Sequence, residues 1–163
     1  MSGNGKSTLI TALTARGYKA IDLDTDEWSQ WVPLADSERV KLTDSAQASI
    51  WDTQDWVWRE DRVERLLAVE DADILFVSGT AANQGRFRER FDHIILLSAP
   101  KDVIVERLTT RTNSSYGKDP NELARVLKQV DTVEPLLRKS ATFEVDTSAS
   151  ISDVLRIVLD ASH

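Results

Sequence analysis

The chain has 163 residues, 29% of them charged and 41% hydrophobic, with a formal charge of −7, which suits one domain, residues 1–163, with a substantial core. The absence of cysteine excludes disulfides and thiolate metal sites, and with only two histidines, His93 and His163, a histidine-rich metal centre is not expected. The acidic balance argues against a nucleic-acid partner, and no apolar run approaches the ~20 residues of a bilayer span, nor is there a signal-peptide pattern, so no membrane association and a cytoplasmic location are expected.

In chain order, KSTLITALTARG carries apolar residues at Leu9, Ile10 and Leu13 and ends at Gly17, the pattern of a short helix with a glycine stop. YKAIDLD reads as a short strand leaving in acidic residues. Between Asp36 and Glu70 two or three helices are expected, with IWDTQDWVWREDRVERLLAVE the clearest. ILFVSG (74–79) and HIILLSAP (93–100) are nearly continuous apolar runs, which suit parallel strands covered on both faces. KDVIVERLTTRT predicts a helix. In DPNE, Asp119 can cap the next helix, Pro120 takes its first position and Glu122 completes a capping box. That helix should run to about Lys139 with a break near Pro135. TFEVDTS is a final strand and turn, and ISDVLRIVLDAS a closing amphipathic helix. Strand–helix alternation makes this a three-layer α/β domain, a parallel sheet flanked by helices.

The opening MSGNGKST carries the last positions of G-x-x-x-x-G-K-[ST], a loop whose backbone N–H groups cradle phosphates at a helix mouth. Gly3 and Gly5 let the loop, Asn4 included, curl toward phosphate oxygens. Lys6 would reach the β- and γ-phosphates, Ser7 would ligand Mg²⁺, and Thr8 is placed for a further phosphate contact. The plain alternative is a polar, glycine-containing tail that merely starts a helix.

Four stretches, SGNGKST, DLDTDE, RLTTRTNSSYGK and VDTS, resemble the small P-loop kinases, the fold group of adenylate, shikimate and gluconate kinases. FVSGTAANQGRF, FDHIILLSAP and the later YGK also look like a group of bacterial proteins labelled shikimate kinase or ATP-binding. The resemblance implies a P-loop NTPase fold with a lid at about 112–120, ATP and Mg²⁺ as cofactors, and a small-molecule acceptor, a metabolite or a nucleoside or nucleotide. It implies Arg107 against the adenine, Arg111 swinging in with the lid toward the transferring phosphoryl group, and a loop at Thr147 and Ser148 around the adenine. Without it, Arg107 and Arg111 are equally readable as a solvated helix face pairing with Glu106 or Asp102.

Asp22, Asp24 and Asp26 alternate where a strand leaves the sheet, and the carboxyl end of such a strand borders the ligand crevice. The resemblance to shikimate kinases implies an aspartate here that contacts the acceptor hydroxyl and lies near the metal. That makes Asp24 the first choice for acceptor orientation or general base, with Asp26 second; solvated turn carboxylates are the other reading. Trp28 and Trp31 flank the acidic loop, and tryptophans beside Arg59 and Arg62 of WDTQDWVWRED could wall a pocket for a ring-bearing or anionic acceptor, with Arg62 a candidate contact. The other reading is core aromatics and a charged surface, and Trp51 and Trp58 are expected in the core. Ser78 stands where many P-loop proteins carry a metal-side aspartate. Gly79 and Thr80 would bring bare backbone to the acceptor, and Asn83 and Gln84 either contact it or form a polar loop. SGTAANQG lacks the second glycine-rich turn of a shikimate kinase, which puts shikimate itself in doubt.

Counted back from Lys6, the motif's first glycine would fall one place before Met1, and the strand that feeds the loop further upstream. Three explanations compete: a misassigned start, which is favoured, a sheet that closes without the strand, or a strand donated by a partner. A chain with this N-terminus is expected to bind ATP weakly or not at all. The rival functions are a P-loop module that hydrolyses or senses ATP without a small-molecule acceptor, and an inactive scaffold. Oligomeric state is left open.

Overall fold

The computed structural model describes residues 2–34, 53–112 and 114–163. Helix α1 (Lys6–Ala15) is followed by strand β1 (Lys19–Asp22), β2 (Ser29–Pro33), β3 (Gln54–Trp58), α2 (Glu60–Leu67) and β4 (Leu75–Ser78). A 3₁₀ helix (Gln84–Arg90), β5 (Ile95–Ser98), α3 (Lys101–Thr110), α4 (Pro120–Thr132), α5 (Glu134–Ser140), β6 (Phe143–Asp146) and α6 (Ile151–Ala161) complete the order. Among the described residues no helix is long and apolar enough to cross a membrane.

The expected terminators operate. Gly17 closes α1, its N–H donating to the Thr14 carbonyl at 2.9 Å while that of Tyr18 reaches Leu13. Asp119 caps α4, accepting from the N–H groups of Asn121 and Glu122 at 2.8 and 3.4 Å. The capping box does not close. Glu122 instead accepts from the Gly117 N–H at 2.8 Å, because the segment ahead of α4 folds back over it. The break before Pro135 falls at Val133, the shared cap of α4 and α5.

The helix expected through IWDTQDWVWREDRVERLLAVE needs correction. Gln54–Trp58 is strand, paired antiparallel with β2 from Ser29↔Trp58 to Pro33↔Gln54, and only Glu60–Leu67 is helical. The expected helices between Asp36 and Ile50, and Trp51, lie outside the described residues.

β1 pairs with β4 in parallel from Lys19↔Leu75 to Asp22↔Ser78, and β5 with β6 from Ile95↔Phe143 to Ser98↔Asp146. These are separate two-stranded sheets: β4 and β5 are not hydrogen-bonded to each other. A cavity of about 730 Å³ lies between them, lined by Leu75 to Gly79 on one side and Ile94 to Leu97 on the other. Every residue of β4 is therefore only half-buried, although its apolar run suits a covered strand.

On one face α1 and α6 close a seam of Leu9, Leu13, Val145, Val154, Leu155 and Val158, with Phe76, Ile95 and Leu97 against it. On the other, Leu23, Trp58, Val63, Leu66 and Phe87 form a second cluster beneath Val77 and Leu75. Each fully buried side chain of this kind contributes roughly 1.5–3 kcal/mol. Ile104, Leu108 and Val126 join α3 to α4. The carboxyl ends of β1 and β4 meet the start of α1, and that of β5 meets the same loop through Asn4, whose Nδ2 donates to the Leu97 carbonyl at 2.7 Å.

Candidate functional site

Loop 2–5 turns on two glycines. Gly3 and Gly5 adopt φ of +83° and +82°, a region that costs other L-residues roughly 1–2 kcal/mol. A Cβ on Gly3 would also stand 2.9 Å from Ile104 Cγ2. Gly5 caps α1 without any side-chain hydrogen bond, so the first-turn amides present their positive end toward the loop, an arrangement that favours an anion. Ser7 and Thr8 are exposed on that first turn.

Behind the loop the side chains form a connected polar chain. The Ser7 hydroxyl donates to Asp22 Oδ2 at 2.8 Å. Asp22 Oδ1 accepts from the Ser78 hydroxyl at 3.1 Å and from the Asp24 N–H at 3.1 Å. Asp24 Oδ2 lies 3.2 Å from Lys6 Nζ, and its Oδ1 accepts from the Thr80 N–H at 2.9 Å. Gly79 permits this approach: a Cβ there would meet Trp58 Nε1, Asp24 Oδ1 and Leu23 Cβ at 3.1, 3.2 and 3.2 Å. Lys6, Ser7, Asp24, Gly79 and Thr80 are thus brought together. Asp22 was not assigned from the sequence, and it is the carboxylate that Ser7 touches. The signals were Ser78, which left the metal side short of a carboxylate, and the DLDTD alternation, which supplied one from the neighbouring strand.

A divalent metal fits this donor set. Ser7 Oγ and the Asp22 carboxylate are hard oxygen donors in direct contact, and Mg²⁺ takes one or two protein oxygens plus phosphate and water. Among the described residues no group of three acidic or histidine side chains forms a self-sufficient metal cage.

Arg107 clasps two loops. Its Nη1 donates to the Gly3 carbonyl at 3.1 Å and to Thr147 Oγ1 at 2.8 Å, while Nη2 donates to the Thr147 carbonyl. Thr147 is itself buried and tied to the Ser98 carbonyl through N–H and hydroxyl. The Ser148 N–H donates to Asp146 at 2.8 Å, and the Ser148 hydrogen bonds hold the Asp146 carboxyl below its usual range. Arg111 donates from Nη2 to the Tyr116 carbonyl, and its Nε is buried without a partner. Gly117 packs on Leu108, whose side-chain atoms stand 3.0–3.2 Å from where a Cβ on the glycine would be.

A second cavity of about 300 Å³ opens beside Asp24 and Thr80, walled by Trp31, Trp56, Tyr116 and Arg125. The rings of Trp31 and Trp56 are 5.0 Å apart across the β2–β3 pair. Burial pushes the Tyr116 phenol up, with Arg125 and Arg111 opposing and Glu122 reinforcing the shift. The sequence offers tryptophans beside Arg59 and Arg62 as a pocket wall; Trp31 and Trp56 do line this cavity, neither arginine does, and the face the tryptophans form needs the β2–β3 pairing.

Other candidates lie elsewhere. Asp26 is exposed in the turn after β1, where its carbonyl accepts from Arg59 Nε. Arg62 is exposed and braces the Glu27 carbonyl, and it does not line the cavity. Asn83 holds both the N–H and the carbonyl of Trp58, at 2.9 and 3.0 Å, and Gln84 accepts from the Ala81 N–H, so both brace the loop. Trp58 is in the core.

No protein-family model matches the chain, and no curated protein matches it. Among solved structures it is similar to TT1252 from Thermus thermophilus, at 22% identity and a TM-score of 0.58, over 99% of this chain and 94% of that one. It is also similar to a shikimate kinase from Acinetobacter baumannii in complex with shikimate, at 18% identity and a TM-score of 0.55, over 98% and 89%. At these identities the likeness is one of fold: an α/β architecture of parallel strands flanked by helices.

Proposed function

We propose that this chain transfers a phosphoryl group from ATP, with Mg²⁺, to a hydroxyl on a small acceptor, a metabolite or a nucleoside or nucleotide. The observation that carries this reading is the contact of Lys6 with Asp24 at 3.2 Å. It supports the reading because a cation of the kind that binds phosphate lies beside a carboxylate of the kind that accepts from a hydroxyl, and that carboxylate also lines the 300 Å³ cavity.

In the proposed reaction the amides of residues 3–7 and Lys6 bind the β- and γ-phosphates, and Ser7 with Asp22 would hold the metal. When bound, Mg²⁺ supplies neutralisation of charge on the phosphate oxygens. Asp24, fixed by the Thr80 N–H, accepts a hydrogen bond from the acceptor hydroxyl and takes its proton. The acceptor oxygen bonds to the γ-phosphorus while the bond from that phosphorus to the bridging oxygen breaks, releasing ADP. Tyr116 and Arg111 lie on the segment that would cover the site and keep water out. Arg107 and Thr147 hold the loop against which the base would lie.

The test is ADP release from Mg²⁺-ATP across a panel of hydroxylated metabolites and nucleosides. Release that depends on one acceptor class and is lost in Lys6→Met is expected. Steady hydrolysis that no metabolite alters would replace this reading with an ATP-hydrolysing module.

A further inference from the structure

The 300 Å³ cavity beside Asp24 is lined by two elements with different chemistry, the β2–β3 pair and α4. In the pair, Trp31 stands directly opposite Trp56, so both indoles lie on one face. Their planes meet at 53° with centroids 5.0 Å apart. They leave no slot between them and form one bent wall, on which a flat ring can lie. From α4 and its cap, Arg125, Gln129 and Val133 line the cavity at every fourth position, one stripe of a helix.

The aromatic wall is tied to the reacting end of the site. The Ala82 N–H donates to the Trp56 carbonyl at 2.9 Å, which binds β3 to the loop that carries Thr80. The Thr80 N–H in turn holds Asp24 Oδ1 at 2.9 Å. The indoles therefore keep a set place relative to the carboxylate proposed to meet the acceptor hydroxyl. Asp24 also lies 3.2 Å from Lys6 Nζ, which balances its charge, and among the described lining residues Arg125 is the one cation. The Arg125 guanidinium and the Gln129 amide carry hydrogen-bond donors, which suit accepting atoms on the edge of a ring. An aliphatic occupant would leave those donors unanswered, and a polyol would set its hydroxyls against indole faces.

We propose that the acceptor is a heteroaromatic alcohol. Its planar ring lies on Trp31 and Trp56, its ring nitrogen or carbonyl oxygen atoms meet Arg125 and Gln129, and its hydroxyl, on the ring or on a short saturated arm, meets Asp24. Nucleosides and hydroxymethyl pyridines or pyrimidines have this form, whereas shikimate and the free sugars do not. The inference rests on the phosphoryl-transfer reading for the role of Asp24 alone, and it selects one class from the acceptors which that reading admits.

The experiment follows the indole N–H resonances of isotope-labelled protein, with and without ADP and Mg²⁺. Uridine, adenosine and pyridoxine are titrated against ribose, myo-inositol and shikimate, with benzyl alcohol as a flat ring that lacks accepting atoms on its edge. At least one heteroaromatic alcohol should bind saturably, move the Trp31 and Trp56 signals, and bind about tenfold or more tighter than the three non-planar compounds. Trp31→Phe should keep that preference and Trp31→Leu should lose about tenfold in affinity; Trp31 is 42% exposed, so both variants should fold. Arg125→Met should reduce heteroaromatic affinity to that of benzyl alcohol. Equal or tighter binding of a non-planar compound, or indole signals unmoved by every flat ring, would overturn the proposal. Heteroaromatic binding with no ADP release from ATP would uphold the class and sink phosphoryl transfer, whereas ADP release driven by a non-planar acceptor would do the reverse.

Discussion

Asp22 and Ser7 meet across the junction of β1 and α1, the hydroxyl of one donating to the carboxylate of the other at 2.8 Å. Ser78 steadies the second oxygen of Asp22 from the neighbouring strand at 3.1 Å. Asp22→Asn keeps the size of the side chain and removes its charge. Nucleotide affinity with Mg²⁺ should fall by about tenfold or more, the worth of one charge-assisted contact, and affinity in chelator should change little. Calorimetry with and without the metal measures both, and equal losses in the two conditions would refute a metal-side role.

Lys6→Met should remove most affinity for ATP while leaving the fold intact. The substitution would remove the proposed ionic contact with phosphate, about 1.5–3 kcal/mol, and abolishes the ion pair with Asp24. Equilibrium binding and circular dichroism together decide the matter.

Gly79→Ala should damage turnover more than nucleotide binding. The added methyl would press on Asp24 and Trp58 at 3.2 and 3.1 Å, an overpacking that costs about 1–3 kcal/mol, and the group displaced is the carboxylate proposed to meet the acceptor. The expected result is a fall in kcat with nearly unchanged ATP affinity, seen in steady-state kinetics. Gly85→Ala, with open space around it, is the control.

Trp31→Ala strips one wall of the smaller cavity, where the ring is 42% exposed and stacked near Trp56. The acceptor KM should rise by about tenfold, in the range of a lost aromatic contact, with stability and ATP affinity almost untouched. A KM unchanged by this substitution would remove the cavity from the acceptor site.

Arg138 grips Glu144 with two hydrogen bonds of 2.7 Å and Glu134 with a third of 2.8 Å. The Arg138 hydrogen bonds hold Glu144 below its ordinary value of 4.5. Its contribution is therefore complete above that value and disappears as pH falls through the lower, folded-state value. Thermal melts should show Tm declining below about pH 4.5 in the unsubstituted chain, and the decline should be shallower in Glu144→Gln.

Much of this arrangement was legible in residue order, and the failures have identifiable physical causes. The helix α1, its glycine stop, the Asp119 cap and the two apolar runs follow from local rules that tertiary structure did not override. QDWVW was misread because its tryptophans also fit a helical spacing, and a five-residue run holds too few turns to separate the two periods. Pairing with SQWVP, more than twenty residues away, decided for strand. The Trp31–Trp56 face of the smaller cavity depends on the same pairing. Asp22 and Asp24 were both visible as carboxylates leaving β1. Their different partners are Ser78 and Thr80, on β4 and the loop after it, which no spacing in the first strand discloses.

The Arg107 guanidinium has a mechanical consequence. One planar group rivets the Gly3 backbone to Thr147, 144 positions later, so a ligand that immobilises the early turn must also quieten the approach to α6. Occupancy at the amino-terminal end of the molecule should accordingly be readable as slowed fluctuation near its carboxyl-terminal end.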